Sequence, residues 1–344
     1  MGAAVTEHSA NSMKGIHVPC LTWFLDNETQ DIDWNLQRRH IQFLIQSGVD
    51  GGKQMNPKNR KATVTHIHAV VIAGTNGEAV TLSRDEKSQL VQMTRQVATE
   101  LGKPTLPISV GTSGQCTRDV ISETVLARDA GGDFALVLTP SYFHFAMNPD
   151  AIAEFFEEVA KASPLPLVIY NFPGVAAGID LDSDLLARLG QNSNIVGVKL
   201  TCGGIAKVAR IAANFSPGEF VALAGQSDWL VPALSVGGTG SITGVANLYP
   251  RVCLRIYDLY TSGKVQESQD LQLRLAQIET GFGKGGINGT KWVVAQLRNY
   301  PEGSWHCRRP YPKFNDLERQ SWVRKTVEPL AKLEESLIDF VPKH

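Results

Sequence analysis

The sequence has few cysteines, and their spacing suggests neither a metal site nor a disulfide framework. There are five in 344 residues, and no Cys-x-x-Cys pair occurs. A structural zinc site needs clustered ligands, and a disulfide framework needs an even set of paired cysteines. We therefore expect reduced cysteines in a cytoplasmic protein and no bound metal. The five are Cys20, Cys116, Cys202, Cys253 and Cys307.

Long apolar runs and an excess of charge of either sign are also missing. No run approaches the roughly 18 apolar residues that cross a bilayer, so we expect no membrane partner. Residues 1–14 are polar, which predicts no secretory signal. Lysine and arginine total 33 and aspartate and glutamate 34, a formal net charge of -1. This balance argues against nucleic acid as a partner.

Eight histidines provide no obvious metal cluster. His66 and His68 stand two residues apart, and alternation on a strand is the expected reason for that spacing.

The sequence does contain a regular alternation of short apolar runs with amphipathic helical patterns. Parallel strands need covering crossovers, so this alternation predicts an α/β fold with a parallel sheet. Eight such units over about 250 residues predict a (β/α)8 TIM barrel. A doubly wound open sheet is the alternative, but it usually has fewer strands. The predicted strands cover residues 15–22, 69–73, 107–110, 134–138, 166–170, 195–199, 220–224 and 240–243.

The predicted organisation is a barrel over residues 14–262 and a C-terminal helical region over 263–344. A segment at about 51–66 interrupts the barrel and is too long for an ordinary helix-to-strand loop. It is basic and could be a patch for a phosphate or an acidic partner, but we favour a solvated surface insertion or sequence that does not belong in the mature message. Its charged residues are Lys53, Lys58, Arg60 and Lys61.

One motif in the tail suggests a nucleotide site that its context does not support. Residues 281–286 read Gly-Phe-Gly-Lys-Gly-Gly, which formally fits G-x-G-x-x-G. The motif follows a helical pattern instead of a strand, so we expect a glycine-rich loop between two tail helices and no dinucleotide cofactor. The tail helices are predicted over 264–280, 290–298 and 317–338.

Lys199 is the most informative residue of the predicted barrel. It ends the apolar run 195–199, at the end of a strand where TIM barrels place their active sites. Removing an amine from water favours its neutral form, which attacks carbonyl groups. Lys199 is therefore a candidate Schiff-base lysine. The alternative is a lysine whose ammonium group reaches solvent at the strand end.

Two further patterns end at the same face of the barrel. Tyr170 closes the preceding strand, so its phenol is a candidate proton shuttle or, alternatively, an ordinary core tyrosine. The run Gly74-Thr75-Asn76-Gly77-Glu78 follows the second strand. Its glycines allow close backbone approach, and its amides and hydroxyl could hold a carboxylate. A plain turn leading to a helix cap is the alternative.

These motifs, in their order and spacing, resemble the dihydrodipicolinate synthase and N-acetylneuraminate lyase family. The resemblance rests on the runs 74–78, 138–143, 170–173 and 197–199, with 237–243 also matching, and it covers about residues 14–300. It implies a barrel enzyme of the class I aldolase type, a carbon–carbon lyase that uses neither metal nor cofactor. Its implied substrate is a small 2-oxo acid.

The resemblance also implies a role for each matching residue. Lys199 would form the Schiff base, Tyr170 would shuttle the proton, and Thr75 would link Tyr170 to Tyr142. Tyr142 would reach the site of a neighbouring subunit, which implies a homodimer or homotetramer. The remaining implied contacts to substrate come from the turn and from a backbone carbonyl near the lysine: Gly74, Thr75, Asn76 and Ile242.

The sequence departs from the synthase pattern after Tyr170. Residues 174–178 read Gly-Val-Ala-Ala-Gly and lack the arginine that binds the aldehyde carboxylate in the synthases. The run from Tyr170 into residues 178–185 resembles fungal members that cleave 2-keto-3-deoxy-L-galactonate to pyruvate and L-glyceraldehyde. We expect that activity. The alternatives are 4-hydroxy-2-oxoglutarate cleavage, dihydrodipicolinate synthesis, and a catalytically silent barrel that binds 2-oxo acids.

Overall fold

A computed structural model describes residues 9–50 and 64–337. Eight parallel strands close into a barrel in which each strand pairs with the next one along the chain and the last pairs with the first. The predicted TIM barrel is confirmed, and the alternative of an open sheet is excluded. The barrel strands are β1 (Gly15–Pro19), β4 (Ala69–Ile72), β5 (Ile108–Gly111), β6 (Phe134–Leu138), β7 (Leu167–Asn171), β8 (Ile195–Leu200), β9 (Val221–Ala224) and β10 (Gly240–Ile242).

The strands are apolar because both of their faces are covered. Outward-facing side chains such as Ile16 and Val18 pack against the helices in the larger core cluster. Inward-facing side chains fill the barrel and form a second, smaller cluster. A short 3-10 helix, Ala10–Met13, contributes to that cluster and contacts β8 and β9. Ser109 Oγ lies 3.8 Å from Met13 Sδ, at the start of β5.

Among the described residues, eight helices alternate with the barrel strands, and several begin at side-chain caps. Ser83 forms a capping box with Glu86 at the start of the second helix. Asn148 and Asp182 cap the fourth and fifth helices through their side-chain oxygens. The helices are α1 (Trp34–Gln46), α2 (Arg84–Glu100), α3 (Thr117–Asp129), α4 (Pro149–Ala162), α5 (Ser183–Leu189), α6 (Ile205–Asn214), α7 (Leu230–Ser235) and α8 (Pro250–Thr261).

Two short antiparallel strands lie on either side of residues 51–63, and the second of them forms the end of the predicted insertion at 51–66. The strands β2 (Gly48–Asp50) and β3 (Val64–His66) pair with each other outside the barrel. The four basic residues of the predicted insertion lie outside the described residues. The expectation that His66 and His68 alternate on one strand is wrong. His66 ends β3, and His68 precedes β4, where its Nδ1 accepts a hydrogen bond from the backbone N–H of Ile16 at 3.0 Å.

The tail contains two helical stretches with a break between them, as predicted, but the break is shorter than the predicted loop at 281–286. The segment α9 (Val265–Arg298) consists of two helices joined by a kink at Gly286, whose φ of 68° and ψ of -171° are not helical. Residues 281–285 stay helical and face α10 (Leu317–Val327). A Cβ at Gly281 would lie 3.1 Å from Thr326 Cγ2, and one at Gly285 would lie 3.3 Å from Val323 Cγ2. Gly281 and Gly285 thus allow the two helices to pack closely.

A last short helix, α11 (Ala331–Ser336), returns to the barrel. Its Glu334 carboxylate accepts hydrogen bonds from the backbone N–H groups of Arg251 and Val252, at the start of α8. It also pairs with the Arg251 guanidinium at 3.2 Å. Within residues 9–50 and 64–337, no helix combines the length and the hydropathy that a membrane crossing requires.

Candidate active site

Lys199 lies at the carboxyl end of β8 and is almost entirely buried, with 4% of its surface exposed. It is in register with Tyr170 of the adjacent strand β7. Its Nζ lies 4.0 Å from the centroid of the Tyr170 ring. The alternative in which the lysine reaches freely into solvent is therefore wrong. The amine is held against an aromatic face inside the carboxyl end of the barrel.

An irregularity in β8 aligns the lysine with the tyrosine. The β7–β8 register shifts between Leu167, which pairs with Ile195, and Val168, which pairs with Gly197. Such a shift changes which side chains of a strand face inward. Gly197 also allows β8 to approach β9, since a Cβ there would lie 2.8 Å from the carbonyl oxygen of Val221. The local sequence thus places the following lysine beside Tyr170.

Thr75, on the turn after β4, contacts the same tyrosine from another side of the barrel. Its Oγ1 lies 3.3 Å from the phenol oxygen of Tyr170, so either group can donate the hydrogen bond. Among the described residues, Thr75 Oγ1 is hydrogen-bonded to Tyr170 and not to Tyr142. The structure therefore brings an amine, a phenol and a hydroxyl into one row. Such a row can form an imine and relay a proton.

The turn after β4 is tight because neighbouring backbone lies against it. Ala73 and Glu78, at its two ends, have positive φ values of 53° and 57°. A Cβ at Gly77 would lie 2.9 Å from the carbonyl oxygen of Cys20. Asn76 lies against the segment after β10, since a Cβ at Gly244 would lie 3.0 Å from Asn76 Nδ2. The turn is thus packed between the ends of β1 and β10, beside the row formed by Lys199, Tyr170 and Thr75.

Ile242 and Tyr142, two further predicted site residues, differ in exposure to solvent. Ile242 is fully buried on β10, in the same interior cluster as Tyr170. Tyr142 is 74% exposed on the segment after β6, and its ring meets that of Phe143 edge to face at 5.0 Å. Phe145 continues this exposed aromatic surface. Tyr142 is thus exposed, and in the described part of the chain no hydrogen bond joins it to Thr75.

His17 is an interior residue that the sequence did not single out. It is fully buried on β1, between the outward-facing Ile16 and Val18. Burial lowers the pKa of His17 from 6.5 to about 3, and the charges of His68 and Lys199 add to the effect. The imidazole is therefore neutral at physiological pH. The available signal was a polar residue at an inward position of an apolar strand.

A second polar group follows Tyr170 and Lys199 and was also missed. The Asn171 amide donates to Asp180 Oδ1 at 2.7 Å, and Lys207 forms an ion pair with the same carboxylate. Burial raises the pKa of Asp180, but the hydrogen bonds from Lys207 and Asn171 outweigh it and lower the pKa overall. Lys207 Nζ also lies 3.8 Å from Cys202 Sγ. The sequence did not reveal this group because its members come from three separate segments of the chain.

The segment that follows Tyr170 is apolar. The Phe172 ring lies 5.7 Å from the Tyr170 ring, centroid to centroid, and Val175 is partly exposed in a short 3-10 helix. Residues 172–181 contain neither lysine nor arginine. The described residues also contain no group of three or more histidine, cysteine, aspartate or glutamate side chains arranged to hold a metal.

Comparison with known proteins supports the resemblance seen in the sequence. The chain is 38% identical over 330 residues to a Coccidioides immitis protein named 4-hydroxy-2-oxoglutarate aldolase, mitochondrial, covering 94% of this chain and 97% of the relative. It is 34% identical over 330 residues to a Hypocrea jecorina protein named L-threo-3-deoxy-hexylosonate aldolase, covering 94% and 98%.

Solved structures and family profiles agree with these relatives. A crystal structure of a dihydrodipicolinate synthase family protein from Coccidioides immitis superposes with a TM-score of 0.81 at 35% identity, covering 94% of this chain and 97% of the other. The profile of the Dihydrodipicolinate synthetase family matches residues 62–329. The matched range includes Thr75, Tyr170 and Lys199. The chain belongs to the dihydrodipicolinate synthetase family.

Proposed function

We propose that the chain is an aldolase that forms an imine between Lys199 and a 2-oxo acid. The observation that carries this proposal is the buried amine, 4.0 Å from the Tyr170 ring, in a row that continues to Thr75. Attack of Nζ on the C2 carbonyl carbon gives a carbinolamine, which loses water to form the imine. The phenol of Tyr170 lies beside the amine and is suited to move the protons of this step.

Cleavage follows from the electron demand of the protonated imine. The C4 hydroxyl gives up its proton to the Tyr170–Thr75 pair as the C3–C4 bond breaks, and the C4 carbon leaves as an aldehyde. The bonding electrons move to C3 and are held as an enamine. Protonation at C3 and hydrolysis of the imine then release pyruvate and return the free amine of Lys199. Thr75 and Asn76 offer a hydroxyl, an amide and backbone N–H groups for the substrate carboxylate.

The substrate that we favour is a 2-keto-3-deoxy sugar acid, specifically 2-keto-3-deoxy-L-galactonate, which would give pyruvate and L-glyceraldehyde. Residues 172–181 provide no cation for a second carboxylate, and the nearby ammonium of Lys207 is already paired with Asp180. Neutral polar groups and a carboxylate can instead accept hydrogen bonds from sugar hydroxyls. The Hypocrea jecorina relative carries the name of this activity.

A second candidate substrate is 4-hydroxy-2-oxoglutarate. The Coccidioides immitis relative, at 38% identity, carries the name of that activity. In this reading the second carboxylate would displace Asp180 from Lys207. Dihydrodipicolinate synthesis is less favoured, because the segment after Tyr170 lacks a guanidinium that could form bidentate hydrogen bonds with an aldehyde carboxylate. A silent barrel would bind pyruvate without releasing any product.

We also propose that the active form is a homodimer or a larger even assembly. One short segment carries three exposed aromatic side chains: Tyr142 is 74% exposed, Phe143 59% and Phe145 80%. Contiguous exposed aromatic side chains mark interaction surfaces. Tyr142 would then complete the Thr75–Tyr170 row of the partner subunit, since Tyr170 is the tyrosine to which Thr75 is hydrogen-bonded within the described residues of its own chain.

A substrate panel tests the proposed activity. The purified chain is given 2-keto-3-deoxy-L-galactonate, 4-hydroxy-2-oxoglutarate, N-acetylneuraminate, or pyruvate with aspartate semialdehyde, and pyruvate formed or consumed is measured. We expect kcat/KM to be highest for the sugar acid and little changed in Lys207→Met. A preference for 4-hydroxy-2-oxoglutarate that is lost in Lys207→Met would establish the second candidate. Pyruvate binding without turnover of any compound would establish the silent barrel.

A further inference from the structure

The turn that carries Thr75 and Asn76 ends at Glu78, whose carboxylate is buried and held by the C-terminal region. Only 4% of Glu78 is exposed. Its Oε1 accepts a hydrogen bond from Lys291 Nζ at 2.7 Å, and its Oε2 accepts one from the backbone N–H of Arg308 at 2.8 Å. Both carboxylate oxygens are thus bound by groups that lie more than 200 residues further along the chain.

Lys291 is the more deeply buried partner. It belongs to α9, has no exposed surface, and donates a second hydrogen bond to the carbonyl oxygen of His306 at 3.0 Å. Its Nζ also lies 4.6 Å from the centroid of the Phe24 ring. A buried charge that loses its partner is strongly unfavourable, so each member of this pair fixes the position of the other. The pair is a rigid connection between α9 and the turn.

The backbone of Glu78 transmits that position to the substrate-binding residues. Glu78 has left-handed geometry, with φ 57° and ψ 39°, which a residue other than glycine keeps only where its surroundings fix it. Its N–H donates to the carbonyl oxygen of Thr75 at 3.0 Å, and the next N–H, of Ala79, donates to Gly74 at 3.2 Å. A shift of the Glu78 carboxylate would therefore move Thr75 and Asn76.

We propose that the Lys291–Glu78 ion pair positions the Thr75–Asn76 turn to bind the carboxylate of the 2-oxo acid. On this reading, which rests on the proposed function, α9 supports the substrate site and is not merely an appendage to the barrel. Neither member of the pair belongs to the catalytic row. Both are positioning residues, and their loss should weaken 2-oxo acid binding more than it slows chemistry on bound substrate.

The test measures how much pyruvate is needed to label Lys199 with borohydride in Lys291→Met, in Glu78→Gln and in the double variant. We expect each single variant to raise the half-saturating pyruvate concentration by about 10- to 100-fold, since small misplacements of a binding group have effects of that size. Labelling at saturating pyruvate should still reach Lys199. The double variant should be no worse than the poorer single variant, because it removes both buried charges together.

A matched control breaks a different buried ion pair. Glu334→Gln disrupts the contact with Arg251, a pair with no hydrogen bond to the described residues 74–78, and should lower the Tm without changing the half-saturating concentration. If Lys291→Met does not fold, Glu78→Asp, which keeps the charge but shortens its reach, should raise that concentration to a smaller extent. Folded variants that bind pyruvate like the wild type, or an equal rise in Glu334→Gln, would overturn the inference. Absence of labelling in the wild type would instead refute the proposed function.

Discussion

Lys199 Nζ lies 4.0 Å from the centroid of the Tyr170 ring, and the two residues are paired in register across β7 and β8. The position of one strand relative to the next therefore determines the geometry of the amine and the phenol. A rigid barrel places such groups more reproducibly than loops do. The Tyr170 hydroxyl also lies 3.3 Å from Thr75 Oγ1, on the turn after β4.

Removing the Tyr170 hydroxyl tests its role in proton transfer. Tyr170→Phe should lower kcat by about 10²- to 10⁴-fold, the usual contribution of a general acid or base. The ring that lies against Lys199 remains, so the Tm should change little. Steady-state kinetics and thermal unfolding together check this expectation. A wild-type kcat in Tyr170→Phe would assign the proton transfers to another group.

The hydroxyl of Thr75 can be removed or retained by substitutions of similar size. Thr75→Val should lower kcat/KM by about 3- to 10-fold or more, since one hydrogen bond contributes about 1 kcal/mol. Thr75→Ser retains the hydroxyl and serves as the control, with activity close to that of the wild type. Equal kinetics for the two variants would show that the contact with Tyr170 has no catalytic role.

The exposed aromatic segment predicts the effect of breaking the assembly. Phe145→Asp places a charge on the surface formed with Tyr142 and Phe143, so it should convert the dimer to a monomer and reduce activity. Tyr142→Phe keeps the aromatic ring, so it should leave the proposed dimer intact. It should still reduce kcat, because the phenol oxygen that would reach the partner's site is lost. Sedimentation velocity and kinetics distinguish the two effects. A monomeric wild type with full activity would contradict the proposed assembly.

His40 makes the stability of the fold depend on pH in the acid range. It is fully buried and hydrogen-bonded to Tyr300 and Asn247, both at 3.1 Å. Burial lowers the pKa of His40 from 6.5 to about 3. Below pH 6.5 this histidine is therefore protonated in the unfolded chain but still neutral in the folded chain. The free energy of unfolding consequently falls as the pH is lowered toward 3.

Replacing that histidine should flatten the dependence. Between pH 6.5 and pH 4.5, His40→Gln should lose about 2 kcal/mol less unfolding free energy than the wild type. Urea denaturation at several pH values measures the difference. Parallel curves for the two proteins would assign the acid sensitivity to other groups, such as His17 and His68, whose pKa values are also lowered by burial.

The sequence was sufficient to predict the barrel because the fold rests on local patterns. Two-sided burial makes each strand an apolar run, and helix caps such as Ser83 mark where the helices begin. Predicted and observed strand ends differ by a few residues at most, the largest difference being at β1, which ends at Pro19 instead of residue 22. Residues at the carboxyl ends of neighbouring strands, such as Tyr170 and Lys199, could be expected to meet for the same reason.

The contacts that the sequence did not reveal depend on tertiary packing. Glu78 and Lys291 are 213 residues apart, and no local pattern indicates that they pair. The Asp180–Lys207 pair likewise joins the segment before α5 to the first turn of α6. The glycines of residues 281–286 looked like a loop because their low helix propensity is a local property. Gly286 does break the helix, whereas Gly281 and Gly285 stay helical where they pack against α10.

The most direct test of the central claim is to trap the imine. The wild-type chain is incubated with pyruvate, reduced with borohydride, and examined by intact-mass and peptide mass spectrometry. We predict one reduced pyruvate adduct per chain, located at Lys199, and no adduct in Lys199→Ala. An unlabelled wild-type chain, or an undiminished adduct in Lys199→Ala, would contradict the account.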